Sequence, residues 1–148
     1  MTIATGEQIL AADMQPLIIG SVPGGRLTLA TGAPLTLTDQ LNKTTLYYSP
    51  FVGNTIALYD GSSAWKLMTF SELSLDMSGL TASKPYDIFA YDNGGTVTLE
   101  YLVWTDTATR ATALTRQDGI YVKTGATTRR YLGTVYISAD QNMDDGAT

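Results

Sequence analysis

Apolar and polar residues alternate with a period of two along much of the chain, the pattern of strands that bury one face. Residues 26–30 (RLTLA) and 35–38 (LTLT) show it first, and each is expected to place its leucines in a core. Residues 31–34 between them and residues 39–43 after them have the composition of loops. The pattern predicts two half-buried strands at the start of an all-β domain.

A first hairpin is predicted from residues 55–59 and 64–70, which are apolar segments on either side of Asp60 and Gly61. An Asp-Gly pair supplies the positive backbone dihedrals of a tight turn. Another strand is expected at residues 45–49. This region is rich in aromatic residues, so its side chains suit packing and contact.

A second hairpin is predicted from residues 86–92 and 96–104 around an Asn-Gly-Gly turn. The first of these strands carries apolar groups on both faces, with Ile88 on one side and Phe89 on the other. Such a strand must be covered twice, by a second sheet together with the N-terminal arm or by another subunit. This observation favours an oligomer.

The remaining segments are less regular. Residues 71–80 alternate like an edge strand, although a helical turn could begin at Ser71. Residues 105–115 are interpreted as a long irregular crossover containing a helical turn, and strands are expected at 119–123 and 131–137. The fold class predicted from these elements is an antiparallel β-sandwich or barrel, jelly-roll-like, with a short N-terminal arm.

Three regions are expected along the 148 residues. Residues 1–22 are predicted to be an attachment arm that ends in a hinge at the Val-Pro-Gly-Gly sequence of residues 22–25. Residues 23–137 form the β domain, and residues 138–148 an acidic, flexible tail. One hydrophobic core is expected, since a chain of this length seldom forms two.

Composition narrows the function. The chain has no histidine and no cysteine, so the commonest general base, the commonest nucleophile and most transition-metal ligands are absent. The net charge is −5, and residues 23–137 carry nine acids and nine bases, which gives no support to nucleic-acid binding. Neither a secretory signal nor a membrane span is expected from the sequence. A binding or structural role without cofactor is the default hypothesis.

Carboxylates are the groups left for hydrolytic chemistry, and several lie among aromatic residues, as in sugar-cleaving enzymes. These are Glu72, Asp76, Asp87, Asp92 and Glu100. Turn and strand positions give the same acids ordinary structural tasks, so no catalytic residue is assigned. The acids near the C-terminus do not have the spacing of a calcium loop, and no metal site is predicted.

Aromatic and basic side chains supply the candidate interface or binding residues. They are Tyr47, Tyr48, Phe51, Tyr59, Trp65, Tyr91, Arg129 and Arg130. The rings could stack on sugars or bases, and the alternative is packing in a core or a subunit interface. Strand alternation is expected to send the two adjacent arginines to opposite faces, which weakens a polyanion site.

Several short motifs carry a resemblance to a known family. They are YYSP at 47–50, GN at 53–54, YDG at 59–61 with Trp65, and TRRYLGT at 128–134. Together they resemble a β-rich module of tailed-bacteriophage virion proteins, found in fibre-like appendages and small structural proteins. The resemblance covers about residues 26–136, most of the chain.

The resemblance implies a non-enzymatic virion structural protein, most simply a capsid decoration or cement protein or a short head fibre. It implies a homotrimer at the virion surface, assembled in the host cytoplasm, whose partners are its own copies and the capsid or other virion proteins. Two alternatives remain. One is a tail-fibre module that recognises a host surface glycan, and the other is a carboxylate-dependent glycan hydrolase.

Overall fold

The computed structural model describes residues 24–145, which contain twelve strands and no helix. All strand pairs are antiparallel. The strands are β1 (Gly25–Thr28), β2 (Gln40–Lys43), β3 (Thr45–Pro50), β4 (Thr55–Tyr59), β5 (Trp65–Thr69), β6 (Leu73–Asp76), β7 (Lys84–Asn93), β8 (Thr96–Val103), β9 (Leu114–Gln117), β10 (Ile120–Lys123), β11 (Ala126–Ile137) and β12 (Met143–Asp145). The all-β prediction is confirmed.

The largest sheet has five strands in the order β8-β7-β11-β10-β9. The long strands β7 and β11 form its centre, and Leu132 is the extra residue of a bulge in β11 between Tyr131 and Gly133. Smaller sheets complete the body: β1-β3-β6, the hairpin β4-β5 and the pair β12-β2. Among residues 24–145 no sheet closes on itself, so the barrel alternative does not describe them.

The core lies where the inner face of the large sheet meets the smaller sheets. One cluster joins Tyr48 and Phe70 to Ala90, and a second joins Leu46 and Met77 to Ile88. These side chains lie at apolar positions in strands or, for Phe70 and Met77, directly after β5 and β6. Burial of such residues is the main favourable contribution to the folding free energy.

Both faces of β7 are buried, as its sequence required, but the chain itself supplies the cover. On the second face Phe89 meets the Tyr131 ring edge-on at 6.0 Å, and Lys123 lies over the Phe89 ring. The crossover before β9 adds Arg110, which bonds to Asp87 on this face. The pattern of β7 therefore does not require a second subunit.

The strands predicted at 45–49, 55–59, 64–70, 86–92 and 96–104 are confirmed, as is the edge strand within 71–80. Two predictions near the N-terminal end of the body are wrong. Residues 35–38 form bends instead of a strand, and residues 40–43 form β2 instead of a loop. The partner of β2 is β12, about a hundred residues later in the chain, so no local sequence pattern predicts this pairing.

The crossover at residues 105–113 contains no helix. The Asp106 carboxylate accepts hydrogen bonds from the N–H groups of Ala108 and Thr109, which turns the chain before a helix can form. Strand β9 then begins at Leu114, inside the segment predicted to be irregular. The last hairpin strand also starts earlier than expected, at Ala126.

The predicted C-terminal boundary of the β domain changes. Residues 138–145 belong to the folded body instead of a separate tail, because Met143 is 2% exposed and β12 pairs with β2. The predicted arm, residues 1–22, lies outside the described residues. Gly24 and Gly25 do not form a hinge, since the Gly24 carbonyl accepts hydrogen bonds from the N–H groups of Phe51 and Val52 at 3.1 Å each.

Candidate functional site

Four of the eight candidate residues, Tyr48, Tyr59, Trp65 and Arg130, are buried. The Tyr48 ring stacks on Phe70 with centroids 4.9 Å apart, and its hydroxyl accepts a hydrogen bond from the Gly25 N–H at 3.0 Å. Burial raises the pKa of the Tyr48 phenol. Tyr48 therefore packs the core and is not available to a ligand.

Trp65 joins the β4-β5 hairpin to the large sheet. Its ring lies 5.5 Å from that of Tyr59, and its Nε1 donates a hydrogen bond to Asp118 in the β9-β10 turn at 2.9 Å. Hydrogen bonds from Gln117 and Trp65 lower the pKa of the Asp118 carboxyl. Asp118 thus accepts a hydrogen bond from an indole within its own chain.

Arg129 and Arg130 point to opposite faces of β11, as alternation predicted. The buried Arg130 donates from Nη1 to the carbonyl oxygen of Ala57 at 2.8 Å, and burial lowers its pKa. On the outer face Arg129 lies 4.1 Å from the centroid of Tyr91 and bonds to Glu100 at 3.3 Å. The two arginines cannot bind one anion together.

The outer face of the large sheet carries a set of cations stacked on aromatic rings, a feature that the sequence did not reveal. Charge–ring contacts of this kind order long side chains that would otherwise be free. The pairs are Arg110 on Trp104 (4.6 Å), Arg116 on Tyr121 (4.7 Å), Lys123 on Phe89 (5.7 Å) and Arg129 on Tyr91 (4.1 Å). We call these four pairs the cation–ring face.

Two acids lie among the cations of this face. Asp87 is 1% exposed, accepts a hydrogen bond from Arg110 at 3.0 Å and another from Thr134 at 2.6 Å. Glu100 contacts both Lys123, at 3.5 Å, and Arg129, at 3.3 Å. The face is therefore positively charged only in part, and three of its four cations are already paired.

A shallow depression of about 670 Å³ lies at one end of the cation–ring face. Arg110, Leu114, Tyr121 and Tyr131 are among the residues that line it. A guanidinium and two phenol groups above an apolar floor offer hydrogen-bond donors and flat rings, the chemistry that suits a sugar or a carboxylate. Tyr121 and Tyr131 were not among the candidates, because their convergence depends on the strand order.

The other candidates do not join this surface as one platform. Phe51 is 50% exposed. The guanidinium of Arg26, in β1, lies 5.6 Å from the centroid of the Phe51 ring. Tyr47 and Tyr91 are half-buried. The eight candidates are thus divided among the core, the outer face and the strand end at Phe51.

The five carboxylates considered for hydrolysis all have partners within the chain. Glu72 accepts hydrogen bonds from Ser49, Thr31 and the Gly32 N–H, and these bonds lower its pKa. Asp92 pairs with Lys66 at 2.7 Å. Among residues 24–145 no three acids lie close enough together to hold a metal ion.

Asp60 closes the β4-β5 hairpin through a longer loop than the tight turn predicted, and its side chain holds that loop. The loop has five residues, and the Asp60 carboxylate accepts hydrogen bonds from the N–H groups of Ser62, Ala64 and Ser63. These bonds lower its pKa from 3.8 to about 2. The ionised form is therefore the one that the folded loop stabilises.

A pH prediction follows from Asp60. Because its folded pKa lies below the unfolded value of 3.8, its stabilising effect is present above that pH and is lost as the pH falls to about 2. Replacing Asp60 with Asn is expected to lower stability at neutral pH and to flatten the acid limb of the stability curve. Denaturant unfolding of both proteins across this pH range measures the effect; two curves that remain parallel would contradict it.

Comparison of the chain with protein-family models, with curated proteins and with solved structures finds no match. Within the described part of the chain there is no helix long and apolar enough to cross a membrane.

Proposed function

We propose that this protein is a non-enzymatic structural component of a tailed-bacteriophage virion, a capsid decoration or cement protein or a short head fibre. The sequence resemblance supports the proposal. The structural roles of the motifs that carry the resemblance support it as well. YYSP builds β3, YDG and Trp65 close the β4-β5 hairpin, and TRRYLGT contains the β11 bulge. In the structure these motifs build and close strands of the β body.

The proposed protein acts by adding contacts. Its body is a β-sandwich that associates as a homotrimer, and residues 1–22 attach it to the capsid or to other virion proteins. Each Å² of apolar surface buried between subunits contributes about 25 cal/mol before the costs of association are subtracted. Several copies per site would then stabilise the shell against internal pressure. Neither nucleic acid nor a membrane is a proposed partner.

The second candidate function is a receptor-binding module for a host surface glycan. The depression lined by Arg110, Tyr121 and Tyr131 favours it, because rings and donors converge there. Tyr47, Tyr59 and Tyr91 give this function no support, since they are buried or half-buried and do not form a platform. The two functions place the protein at different positions on the particle.

The position of the protein on the particle distinguishes the two candidate functions. Particles are purified from the lysate in which the protein is made and labelled with a gold-conjugated antibody against the body. Label distributed over the head supports the decoration or head-fibre function, and label confined to the tail tip supports the receptor-binding function. Absence of the protein from purified particles, measured by mass spectrometry, would contradict both.

Removal of residues 1–22 tests the proposed attachment arm. The truncated protein is expected to retain its β-rich circular dichroism spectrum and its unfolding transition but to lose binding to particles that lack the protein. Removal of residues 146–148 is the matched control and is expected to leave binding intact. Binding of the arm-deleted body at full level would refute the assignment of the arm.

A further inference from the structure

Residues 33–39 expose two leucines and half-bury the threonine between them. Leu35 is 55% exposed and Leu37 is 92% exposed. Thr36 between them is half-buried, and its hydroxyl donates a hydrogen bond to Asp145 at 3.4 Å. The sequence LTLT has the alternation of a strand with a buried face, yet the single chain buries neither leucine well.

A groove of about 360 Å³, lined by both apolar and polar side chains, lies next to the cavity that these leucines border. It is lined by consecutive residues at two strands, 27–28 of β1 with the residue that follows and 134–136 of β11, together with Leu46, Met143 and polar residues at 138–145. Alternate residues line a groove when a strand presents its face, so consecutive residues indicate that strand edges border it. A second cavity, whose lining includes Leu35 and Leu37, shares Leu27, Thr28 and Asp145 with the first.

Among the residues that the structure describes, both bordering edges have pairing positions without a strand partner. Within these residues β1 is the outermost strand of its sheet, with β3 as its neighbour. On the side of β11 opposite β7, strand β10 pairs with Ala126 and Arg130, and this pairing stops before residues 134–136. Unpaired strand edges next to apolar side chains readily accept a further extended segment.

We propose that the groove between β1 and β11 receives residues 34–38 of a second copy of this chain, with Leu35 and Leu37 as the buried anchors. The exposed leucines and the groove are both on this chain. The segment PLTLT carries no charge, so it can approach the rim formed by Asp144 and Asp145 without repulsion. In its own chain this segment borders the neighbouring cavity, where Thr36 bonds to Asp145.

The contact joins two different surfaces, a protruding segment and a groove. Contacts of this kind form closed rings when the rotation between copies closes, and three copies is the number in the proposed function. The inference therefore rests on the homotrimer proposed above and assigns the surface that forms it.

Replacement of Leu37 with Asp tests the anchor. Burying one leucine corresponds to about a tenfold to a hundredfold change in affinity, so the variant is expected to dissociate at correspondingly lower concentration in sedimentation velocity. Leu67→Asp is the matched control, since Leu67 is 48% exposed and lies on β5, in a different sheet. Circular dichroism checks that both variants fold.

A cross-linking experiment tests the pairing of the two surfaces, because the chain contains no cysteine. Leu37→Cys and Tyr136→Cys proteins carrying different tags are mixed and oxidised. Tyr136 lines the groove and is 52% exposed. A mixed disulfide is expected, and the mixture of Leu67→Cys with Tyr136→Cys should give none.

The outcomes separate the two proposals. A wild-type chain that remains monomeric at the highest soluble concentration overturns both the groove contact and the homotrimer. A wild-type trimer that Leu37→Asp leaves intact, with no mixed disulfide, overturns the groove contact alone. Disulfides exclusively between two Leu37→Cys chains indicate a two-fold contact and also overturn it.

Discussion

Replacement of Gly24 with alanine is expected to lower the free energy of unfolding by about 3 kcal/mol or more. A Cβ atom at this position would lie 1.7 Å from the carbonyl oxygen of Thr55, a backbone atom that cannot move away without distorting β4. Gly24 also has a φ of +62°, which side chains rarely adopt. Denaturant unfolding followed by tryptophan fluorescence measures the change.

Gly32→Ala is the control for backbone strain. Gly32 has a similar φ of +68°, but nothing lies within 4 Å of the position of its Cβ atom. We expect a loss of about 1 kcal/mol there, the cost of the left-handed conformation alone. Equal losses for the two variants would show that the close approach of Gly24 to Thr55 does not matter.

Replacement of Arg110 with Met is expected to cost about 2–3 kcal/mol. Arg110 pairs with Asp87, whose side chain is 1% exposed. Removing the guanidinium leaves the buried Asp87 carboxylate with the hydrogen bond from the Thr134 hydroxyl but without this positive charge. The stacking of the guanidinium on Trp104 is lost as well. Thermal and denaturant unfolding of the variant measure the effect.

Two controls separate charge from packing. The double variant Arg110→Met with Asp87→Asn removes both charges and is expected to recover part of the loss. Lys66→Met breaks the exposed pair between Lys66 and Asp92, and it should cost much less than Arg110→Met because solvent screens this pair. The role assigned to the pair would be contradicted if the double variant lost more free energy of unfolding than the single variants Arg110→Met and Asp87→Asn lose in sum.

Local sequence was sufficient for the strands that pair with their neighbours in the chain. The β7-β8 hairpin follows from alternating residues and from glycines 94 and 95, both of which have positive φ. The β4-β5 hairpin follows in the same way, although its loop depends on the Asp60 carboxylate instead of a tight turn. In these cases turn chemistry and apolar pattern act over a few residues, so they are visible in the sequence.

Pairing between distant segments could not be predicted. β2 and β12 have few apolar residues, and Met143, which pairs with Lys43, is buried in the core cluster of Leu46, Met77 and Ile88. The same limitation explains why the acidic end was interpreted as a tail. It also explains the error at Gly24 and Gly25, where a flexible dipeptide in the sequence is held by close contacts with β4 and with the Tyr48 and Phe70 rings.

The candidate residues show the same division. Alternation alone separated Arg129 from Arg130, because adjacent residues of a strand point to opposite faces. Burial of Tyr59 and Trp65 beside Val122 of β10, and the contact of Arg110 with Trp104, required the tertiary arrangement, since these partners lie far apart in the chain. Residues 35–38 are the opposite case, in which a strand pattern is present and the single chain does not use it.

By itself the sequence determined that the protein is built of strands, where its main hairpins turn, and that it contains neither histidine nor cysteine. Those features depend on side-chain identity and on backbone preferences a few residues apart. The tertiary structure decided which strands meet, which rings are buried, which cations lie on one face, and which leucines remain exposed. Such outcomes depend on contacts between segments far apart in the chain, where many pairings satisfy the same local pattern.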